Sequence, residues 1–560
     1  MKKILLLSVI IFATFILNAQ SPAFQWAKQM GGTSSEVARS VASDSSGNIY
    51  TIGDFYGTVD FDPGTGTYNL TSTGYSDIFI SKLDNLGNFI WAKQFAGSLS
   101  GYGYSISIDD FGNVYSSGTF NGSVDFDPGI GTCILTGGGL VDLFISKLDS
   151  SGNFVWAKKM EGGVYYCQAS SIVNDKNGNI YYSGAFQNSV DFDPGLGSFY
   201  LNSVSGSVDI IVSKLDSSGN FIWAKQMGGS GEENGSSVIV DSLGNVYTTG
   251  YFNGTVDFNP GAGIFNLTSS GLQDIFISKL DSLGNFIWAK KMGGTNRDFG
   301  MSITFDNSGA VYTTGSFIGT VDFDPSLGTS NLTSAGGEDI FVSKLDAVGN
   351  FIWAKKMGGA SSDRGESISL DANNNVYTVG YYNLTADFDP SAGVYNLTAV
   401  DSSDVFISKL DNSGNFVWTK SFGGVANDCG NALTIDPSSN VYTVGYFGSS
   451  VDFDPGAGIY NLASMGVFDV FVQKLSQTPL GILENSQHQN FISVFPNPTT
   501  NRLTIETTKP TTISIVNLLG EELINSKIEK TETIDVSFLL NGIYFVRDLN
   551  YGGSMKFVKQ

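Results

Sequence analysis

Every one of the seven tryptophans in this chain stands in the same short phrase. Trp26, Trp91, Trp156, Trp223, Trp288, Trp353 and Trp418 each follow an aromatic residue two places back and precede Ala-Lys or Thr-Lys. The step between them is 65 residues in all cases but one, where it is 67. A period this long and this regular means one supersecondary unit built repeatedly, which overrides the three or four unrelated domains that 560 residues would otherwise suggest.

The second copy shows the unit. Phe89-Ile-Trp-Ala-Lys-Gln-Phe95 is followed by a variable Gly/Ser/Tyr loop, then Ser105 to Asp109, Asn113 to Phe120, a segment holding Val124-Asp-Phe-Asp-Pro-Gly129, and Asp142 to Asp149. Apolar residues nowhere keep a helical spacing over a long stretch, so the class is all-β. Two turns per unit share an Asp-x-x-Gly design. One set begins at Asp44, Asp109, Asp175, Asp241 and Asp306, with Asn374 and Ser439 in the Gly place of the last two copies. The other begins at Asp84, Asp149, Asp216, Asp281, Asp346 and Asp411. The Asp side chain accepts backbone N–H bonds and the Gly tolerates positive φ, so both read as hairpin connections. Each unit is therefore a four-stranded antiparallel sheet with an inserted hairpin.

Strands such as Ile78 to Leu83 are apolar on both faces, so each sheet needs a neighbour on either side; a ring of sheets supplies one while exposing only short edges. The last copy ends at Val470 to Leu475 without a Trp strand, and the first Trp strand, Phe24 to Met30, precedes any complete unit. Pairing of these two segments closes the array as a seven-bladed β-propeller; an open solenoid would need distinct capping repeats, and none is present. The tryptophans are expected to fill the interfaces between blades.

The Gly-Asn-Phe-Ile-Trp-Ala-Lys, Gly-Asn-Val-Tyr and Asp-Phe-Asp-Pro-Gly phrases resemble bacterial SBBP-type β-propeller repeat proteins, over roughly residues 21–476 within a propeller domain spanning 20–476. Before it, Lys2 and Lys3, the apolar run Ile4 to Leu17 and Asn18-Ala19-Gln20 read as a signal peptide, 1–19, too short to span a bilayer comfortably. After it, 477–490 is polar and aperiodic, a linker, and 491–560 carries short alternating strands that suggest a small Ig-like β-sandwich. The order of phrases in 491–560 resembles the type A C-terminal sorting domain of the type IX secretion system. Pro496, Asn497, Pro498, Gly520, Gly542, Tyr544, Lys556 and Lys559 occupy the motif places. The resemblance implies export by that machinery from a Gram-negative Bacteroidetes-type bacterium, to the medium or the cell surface.

Composition narrows the chemistry. The formal charge is −23; seven basic and seven acidic residues cancel in 491–560 and Lys2 and Lys3 fall in the leader, so the repeat region holds about −25. Such a surface repels nucleic acid and anionic membranes, and no segment after the leader reads as membrane-inserting. The single histidine, His488, lies in the linker, which argues against Ser-His-Asp or Cys-His catalysis and against His-rich zinc sites. Arg39, Arg297 and Arg364 are too scattered to clamp a carboxylate, and no catalytic residue is assigned. Cys133, Cys167 and Cys429 are odd in number, and Cys167 and Cys429 read as equivalent positions of different repeats, so no disulfide framework is expected.

Two sets of residues remain as candidate sites. Repeated pairs at Asp60/Asp62, Asp125/Asp127, Asp191/Asp193, Asp257/Asn259, Asp322/Asp324, Asp387/Asp389 and Asp452/Asp454 place two oxygen ligands on one strand face near a turn with free carbonyls, an arrangement that could hold Ca²⁺. The same spacing is also an ordinary turn former. Secondly, the loop after each Trp strand varies while its frame does not. In a propeller these loops crowd one mouth of the channel, and the inserted hairpins are expected on that face. This gives Arg39, Tyr102, Tyr104, Tyr165, Tyr166, Glu232, Glu233, Arg297, Asp298, Asp363, Arg364 and Asp428 as candidate ligand contacts. The function expected is non-enzymatic binding or adhesion to an extracellular glycan or protein. A carbohydrate-active hydrolase or lyase using acidic residues at the mouth, and a structural surface-coat component, are the alternatives.

Overall fold

A computed structural model describes residues 21–138, 141–160, 166–477, 492–517, 522–548, 550 and 554–560. The expected leader, His488, nearly all of the linker, Tyr165 and Gly520 lie outside the described residues. Among the described residues the regular structure is β-strand, with one short 3-10 turn at Val204–Gly206 and no α-helix. The chain divides into two compact units, one running to Gln477 and one from Thr478 to Gln560.

In the first unit a four-stranded antiparallel sheet recurs. Its second copy consists of Gly101–Ile108, Val114–Phe120, Asp142–Leu148 and Phe154–Met160, paired in that order. The turns form as their chemistry dictates. Asp44 Oδ1 accepts the N–H groups of Ser46 and Asn48, Asp44 Oδ2 accepts Asn48 Nδ2, and Gly47 sits at φ 77°. Asn374 and Ser439, standing in the Gly place, take φ of 61° and 62°. The last sheet contains Cys429–Ile435, Val441–Phe447 and Asp469–Ser476, and its fourth strand is Ala23–Gly32 from the other end of the unit. There Phe24 lies opposite Leu475 and Met30 opposite Val470.

Among the largest fully buried side chains are equivalent tyrosines, one from each second strand: Tyr50, Tyr115, Tyr181, Tyr247, Tyr312, Tyr377 and Tyr442. Each Oη donates to the Asp that opens its own hairpin turn, at 3.0 to 3.3 Å. A lysine from the third strand covers each ring, with Nζ 4.6 to 5.0 Å from the centroid, a cation–π contact. In most copies the tryptophan packs edge-on or tilted against the same ring. Trp223, Trp288 and Trp418 are buried, but the other four tryptophans are only partly so. The tryptophans share these interfaces with the tyrosines: Trp223, Trp288 and Trp418 pack in clusters that join one copy to the next.

The same parts join one sheet to the next. Lys82 Nζ donates to Ser150 O at 3.4 Å and Trp156 Nε1 to Ser217 O at 3.3 Å, in each case to the turn of the following copy. Lys474, in the last copy, donates to Asn85 O of the first at 2.9 Å. Asn431 Nδ2 donates to Ala38 O at 2.7 Å, and Ser43 Oγ and Thr434 Oγ1 lie 3.4 Å apart. One apolar cluster combines Met30, Ala38 and Ile49 with Ala432, Tyr442 and Val472.

The inserted hairpins start beside the variable loops, where Ser123 N donates to Ser98 Oγ at 3.0 Å, and then lie back against the Trp strands. Val59 and Asp60 pair with Gly32 and Gly31, the end of the preceding Trp strand, and the Tyr68 ring lies 4.9 Å from Phe89 of its own Trp strand. They run along the outer strand because their central phenylalanine is core: Phe61, Phe126, Phe192, Phe258, Phe323, Phe388 and Phe453 are all completely buried.

The second unit has two sheets. Ile492–Phe495, Arg502–Thr507 and Thr531–Asp535 form one; Glu522–Ile528, Thr511–Val516, Gly542–Asp548 and Ser554–Lys559 form the other. Leu503, Ile505 and Ile534 of the first share a core with Ile513, Ile515, Val546 and Phe557 of the second.

Candidate binding cavity

The first strand of every copy contains a β-bulge. Pairing with the second strand skips one residue at Arg39, Tyr104, Ser170, Ser236, Met301, Glu366 and Asn431. A bulge leaves its extra residue outside the ladder and re-aims the side chain. All seven bulge residues line one cavity of about 330 Å³, together with the residue that follows each of them.

That following residue is Ser40, Ser105, Ser171, Ser237, Ser302, Ser367 or Ala432. Its hydroxyl holds the neighbouring strand: Ile172 N donates to Ser105 Oγ at 3.1 Å, and Ile106, Val238, Ile368 and Leu433 repeat the bond at 3.2 to 3.4 Å. The cavity thus has a hydroxyl layer in six of the seven copies and, beside it, a layer that differs in nearly every copy.

Arg39 Nε donates to Asp54 Oδ1 at 2.6 Å, and its guanidinium lies 5.8 and 5.4 Å from the centroids of Tyr102 and Tyr104. Those two rings stack at 6.5 Å with a 19° interplanar angle. Elsewhere Arg364 Nε pairs with Glu366 Oε1 at 3.1 Å and covers Phe299 at 5.7 Å. Between these clusters a polar chain runs from Tyr166 Oη to Gln168, then from Gln168 Nε2 to Ser170 Oγ at 3.4 Å and from Ser170 Oγ to Asn234 Oδ1 at 3.4 Å.

Four other candidates are not surface contacts. Glu233, Asp298, Asp363 and Asp428 are at most 1% exposed, as is Glu36 at the equivalent place. Each accepts a backbone N–H from the Gly-Gly end of the preceding Trp strand, as when Gly294 donates to Asp298 Oδ2 at 2.8 Å. Burial raises Glu36 and Glu233 to about 8 and Asp298, Asp363 and Asp428 to about 7. A second buried carboxylate adds to each shift: Asp469 beside Glu36, Asp209 beside Glu233, Asp274 beside Asp298, Asp339 beside Asp363 and Asp404 beside Asp428. The second group opens the third strand, and all seven of its members, Asp77 and Asp142 included, are buried. Glu232 and Arg297 remain exposed.

The repeated Asp pairs form turns and do not present the paired strand ligands expected for Ca²⁺. The strand ends at the first Asp of each pair, at Asp60, Asp125, Asp191, Asp257, Asp322, Asp387 and Asp452, so the second member lies beyond it in the turn. Asp60 Oδ1 accepts the N–H groups of Asp62 and Tyr68 at 3.0 and 2.8 Å, and Asp62 Oδ1 accepts Gly64 N at 2.8 Å. The other copies repeat this. Asp125, Asp191, Asp322, Asp387 and Asp452 each accept two backbone N–H groups at 2.7 to 3.1 Å. Asp127 and Asp193 accept the N–H groups of Gly129 and Gly195 at 2.8 Å, and Asp454 accepts that of Gly456 at the same distance. Asp324 and Asp389 accept those of Ser326 and Ser391 at 2.9 Å. Asp127, Asp193, Asp324, Asp389 and Asp454 thus each turn one carboxylate oxygen to the backbone of their own turn. The fourth copy does the same with Asp257 and Asn259, whose amide oxygen keeps a hydrogen-bond acceptor in place. Among the described residues no three His, Cys, Asp or Glu converge on a point.

Cys167 and Cys429 are not equivalent: Cys167 pairs with Phe186 and Cys429 with Tyr446, one register place apart, and both are buried.

In the second unit Asn497 grips the final strand from both sides. Its Nδ2 donates to Lys556 O at 2.8 Å and its Oδ1 accepts Val558 N at 2.9 Å. Thr499 extends the clamp, donating to Val558 O and accepting from Gln560 N. Gly542 pairs with Lys559, and the Tyr544 ring stacks on Phe557 at 5.6 Å. Pro496 and Pro498 flank the clamp, each after a cis peptide bond.

A family described as a beta-propeller repeat matches residues 25–54 and 222–256, and one described as a secretion system C-terminal sorting domain matches 493–560. An uncharacterized WD repeat-containing protein, L264, of Acanthamoeba polyphaga mimivirus is 24% identical over 510 residues, covering 76% of this chain and 36% of that protein. The regulatory protein FlaEY of Caulobacter vibrioides is 24% identical over 216 residues, covering 38% and 22%. The chain therefore spans about a third or less of the length of these relatives. The WD40 propeller domain of Doa1 aligns at 10% identity with a TM-score of 0.38, over 82% of this chain and 98% of that one. This chain carries beta-propeller repeats followed by a type IX C-terminal sorting domain, and is a secreted or cell-surface protein of a Bacteroidetes-type bacterium.

Proposed function

We propose that the repeat region is a closed seven-bladed propeller that acts after export as a non-enzymatic binding or adhesion protein, taking its ligand in the bulge-lined cavity. The observation that carries this reading is the cavity itself. Every copy contributes to it through the same backbone device, yet the side chains delivered are Arg, Tyr, Ser, Ser, Met, Glu and Asn. A scaffold that needed only to close would gain nothing from that variety, whereas recognition requires it. Pairing of 23–30 with 470–476, and the Lys474 to Asn85 bond, support closure, since they repeat across the chain ends the bonds made between successive copies.

Binding is favoured over hydrolysis because, among the described residues, Glu366 is the single carboxylate lining the cavity, and it is ion-paired with Arg364. Glycoside hydrolysis calls for two carboxyl groups flanking one bond. The Asp pairs are read as turn-forming, with no Ca²⁺ site proposed there. The test is to apply the purified exported protein to a glycan array and a polysaccharide panel, measuring both retention and product release. Retention without products, lost when Tyr104 and Glu366 are replaced together by Ala, supports the reading. Product release, or retention indifferent to both replacements, overturns it.

A further inference from the structure

We infer that the cavity selects an uncharged saccharide chain, bound by ring stacking and hydroxyl hydrogen bonds rather than by ionic contacts. The inference rests on the cavity being the binding site and adds the class of ligand. Charge decides it first. The cavity and its immediate support hold two cations, Arg39 and Arg364, and each is already matched: Arg39 by Asp54 at 2.6 Å, Arg364 by Glu366 at 3.1 Å. Both guanidiniums also lie over aromatic rings, which fixes them against a wall. An anionic ligand would have to compete with a carboxylate for either arginine, and would approach a repeat region of about −25. A cationic ligand would find one carboxylate, already paired.

The remaining lining is neutral and rich in hydrogen-bonding groups. Gln168, Ser170, Ser236, Asn234 and Asn431 offer amides and hydroxyls, each able both to donate and to accept, which suits the hydroxyl of a sugar. Tyr104, which lines the cavity and stacks on Tyr102, supplies an aromatic ring beside them, the complement of the C–H face of a pyranose ring. A volume of about 330 Å³ lies at the small end of ligand sites, in keeping with one or two sugar rings rather than a folded epitope. A peptide chain would bring N–H and C=O groups in fixed alternation. The cavity's polar groups come from seven separate strands rather than from one edge that could pair with a backbone.

The experiment uses the exported protein with its repeat region intact. Neutral tetrasaccharides of glucose, mannose and galactose, and a tetragalacturonate of matched length, are titrated calorimetrically against wild type and against Tyr104→Ala, Tyr104→Phe and Gln168→Ala, with the melting temperature of each variant recorded. The inference expects at least one neutral tetrasaccharide to bind, at least tenfold tighter than tetragalacturonate. Affinity should fall tenfold or more in Tyr104→Ala, be largely kept in Tyr104→Phe, and fall in Gln168→Ala, with the melting temperature unchanged. Preference for tetragalacturonate, abolished by a joint Arg39→Gln and Asp54→Asn replacement, would overturn the ligand class while leaving the cavity as the site. Binding of a neutral sugar that ignores both Tyr104→Ala and Gln168→Ala would overturn the cavity itself. No heat with any of the sugars would overturn the inference.

Discussion

The turn-bearing ends of the sheets and the cavity are made from the same seven copies, and they differ in what repetition does. At the turns, Asp, Tyr and Lys recur in every copy with nearly the same geometry, Oη to Oδ at 3.0 to 3.3 Å and Nζ to ring centroid at 4.6 to 5.0 Å. At the bulges only the backbone recurs, and the side chain is free to change. A buried Tyr hydroxyl must have its partner or lose stability, so the turn positions cannot drift independently. A bulge side chain facing a cavity has no such constraint. Invariance here reports packing, and variation marks the positions that packing leaves free.

The sharpest way to break this contrast is to remove the strand that the account requires at both places. Deleting residues 21–32 takes away Trp26, Ala27 and Met30 from their cores and the partner of Val470 to Ser476. Calorimetry should show the cooperative transition lost or lowered by about 10 °C or more. Next in size, Tyr377→Ala empties a fully buried site between Asp371, Lys409 and Trp418, and should cost about 3–5 kcal/mol by denaturant titration. Tyr377→Phe, which loses only the bond to Asp371, should cost about 1 kcal/mol.

Proton linkage gives a smaller, signed effect. Glu36 and Glu233, raised to about 8, and Asp298, Asp363 and Asp428, raised to about 7, hold protons in the folded protein that the unfolded chain has already released. Their contribution is complete below the ordinary carboxylate range and is lost as pH rises towards 8. Among the described residues, Oε1 of Glu36 and of Glu233 has no hydrogen-bond partner, as suits neutral acids. The turn aspartates work oppositely. Partial burial pushes Asp84, Asp216 and Asp281 up, but bonds from Asn88, Asn220 and Asn285 outweigh it and hold them below the usual range, so their contribution is lost only in acid. The melting temperature should therefore fall steadily between about pH 5 and 8, and Glu36→Gln with Glu233→Gln should flatten part of that slope. The smallest effect belongs to the cavity: Ser236→Ala should change stability by no more than about 0.5 kcal/mol.

Much of the frame is legible in the sequence because its determinants are local. The Asp-x-x-Gly turns, the Trp phrase and the two orphan end strands are contiguous patterns whose chemistry acts within a few residues. The tyrosine at each interface is not, because a buried Tyr and a strand Tyr look alike without the neighbouring sheet. The buried acids, Asp298 among them, read as loop contacts because nothing local distinguishes an exposed acid from one that caps a Gly-Gly segment in the preceding copy. The Asp pairs differ in another way: Asp127 and Asp454 share a strand face with their partners only if the strand continues, and the Pro that follows each of them marks a turn. The bulges carry a signal of their own: Ala38-Arg-Ser40, Gly103-Tyr-Ser105, Gly300-Met-Ser302 and Gly365-Glu-Ser367 share a small residue and a serine around a variable place. Asp77 and its equivalents likewise recur at the head of the third strand, where they look like ordinary strand starts.

Closure of the repeat region through its two ends is the claim on which the cavity depends, and a disulfide trap reads it directly. Gln25 Nε2 lies 3.2 Å from Ser476 Oγ, across 451 residues of sequence. With the native cysteines replaced by serine, Gln25→Cys and Ser476→Cys should oxidise to an intramolecular bridge in the folded protein, run faster on a non-reducing gel, and raise the melting temperature. Two thiols that stay free in the folded monomer under oxidising conditions would contradict the account.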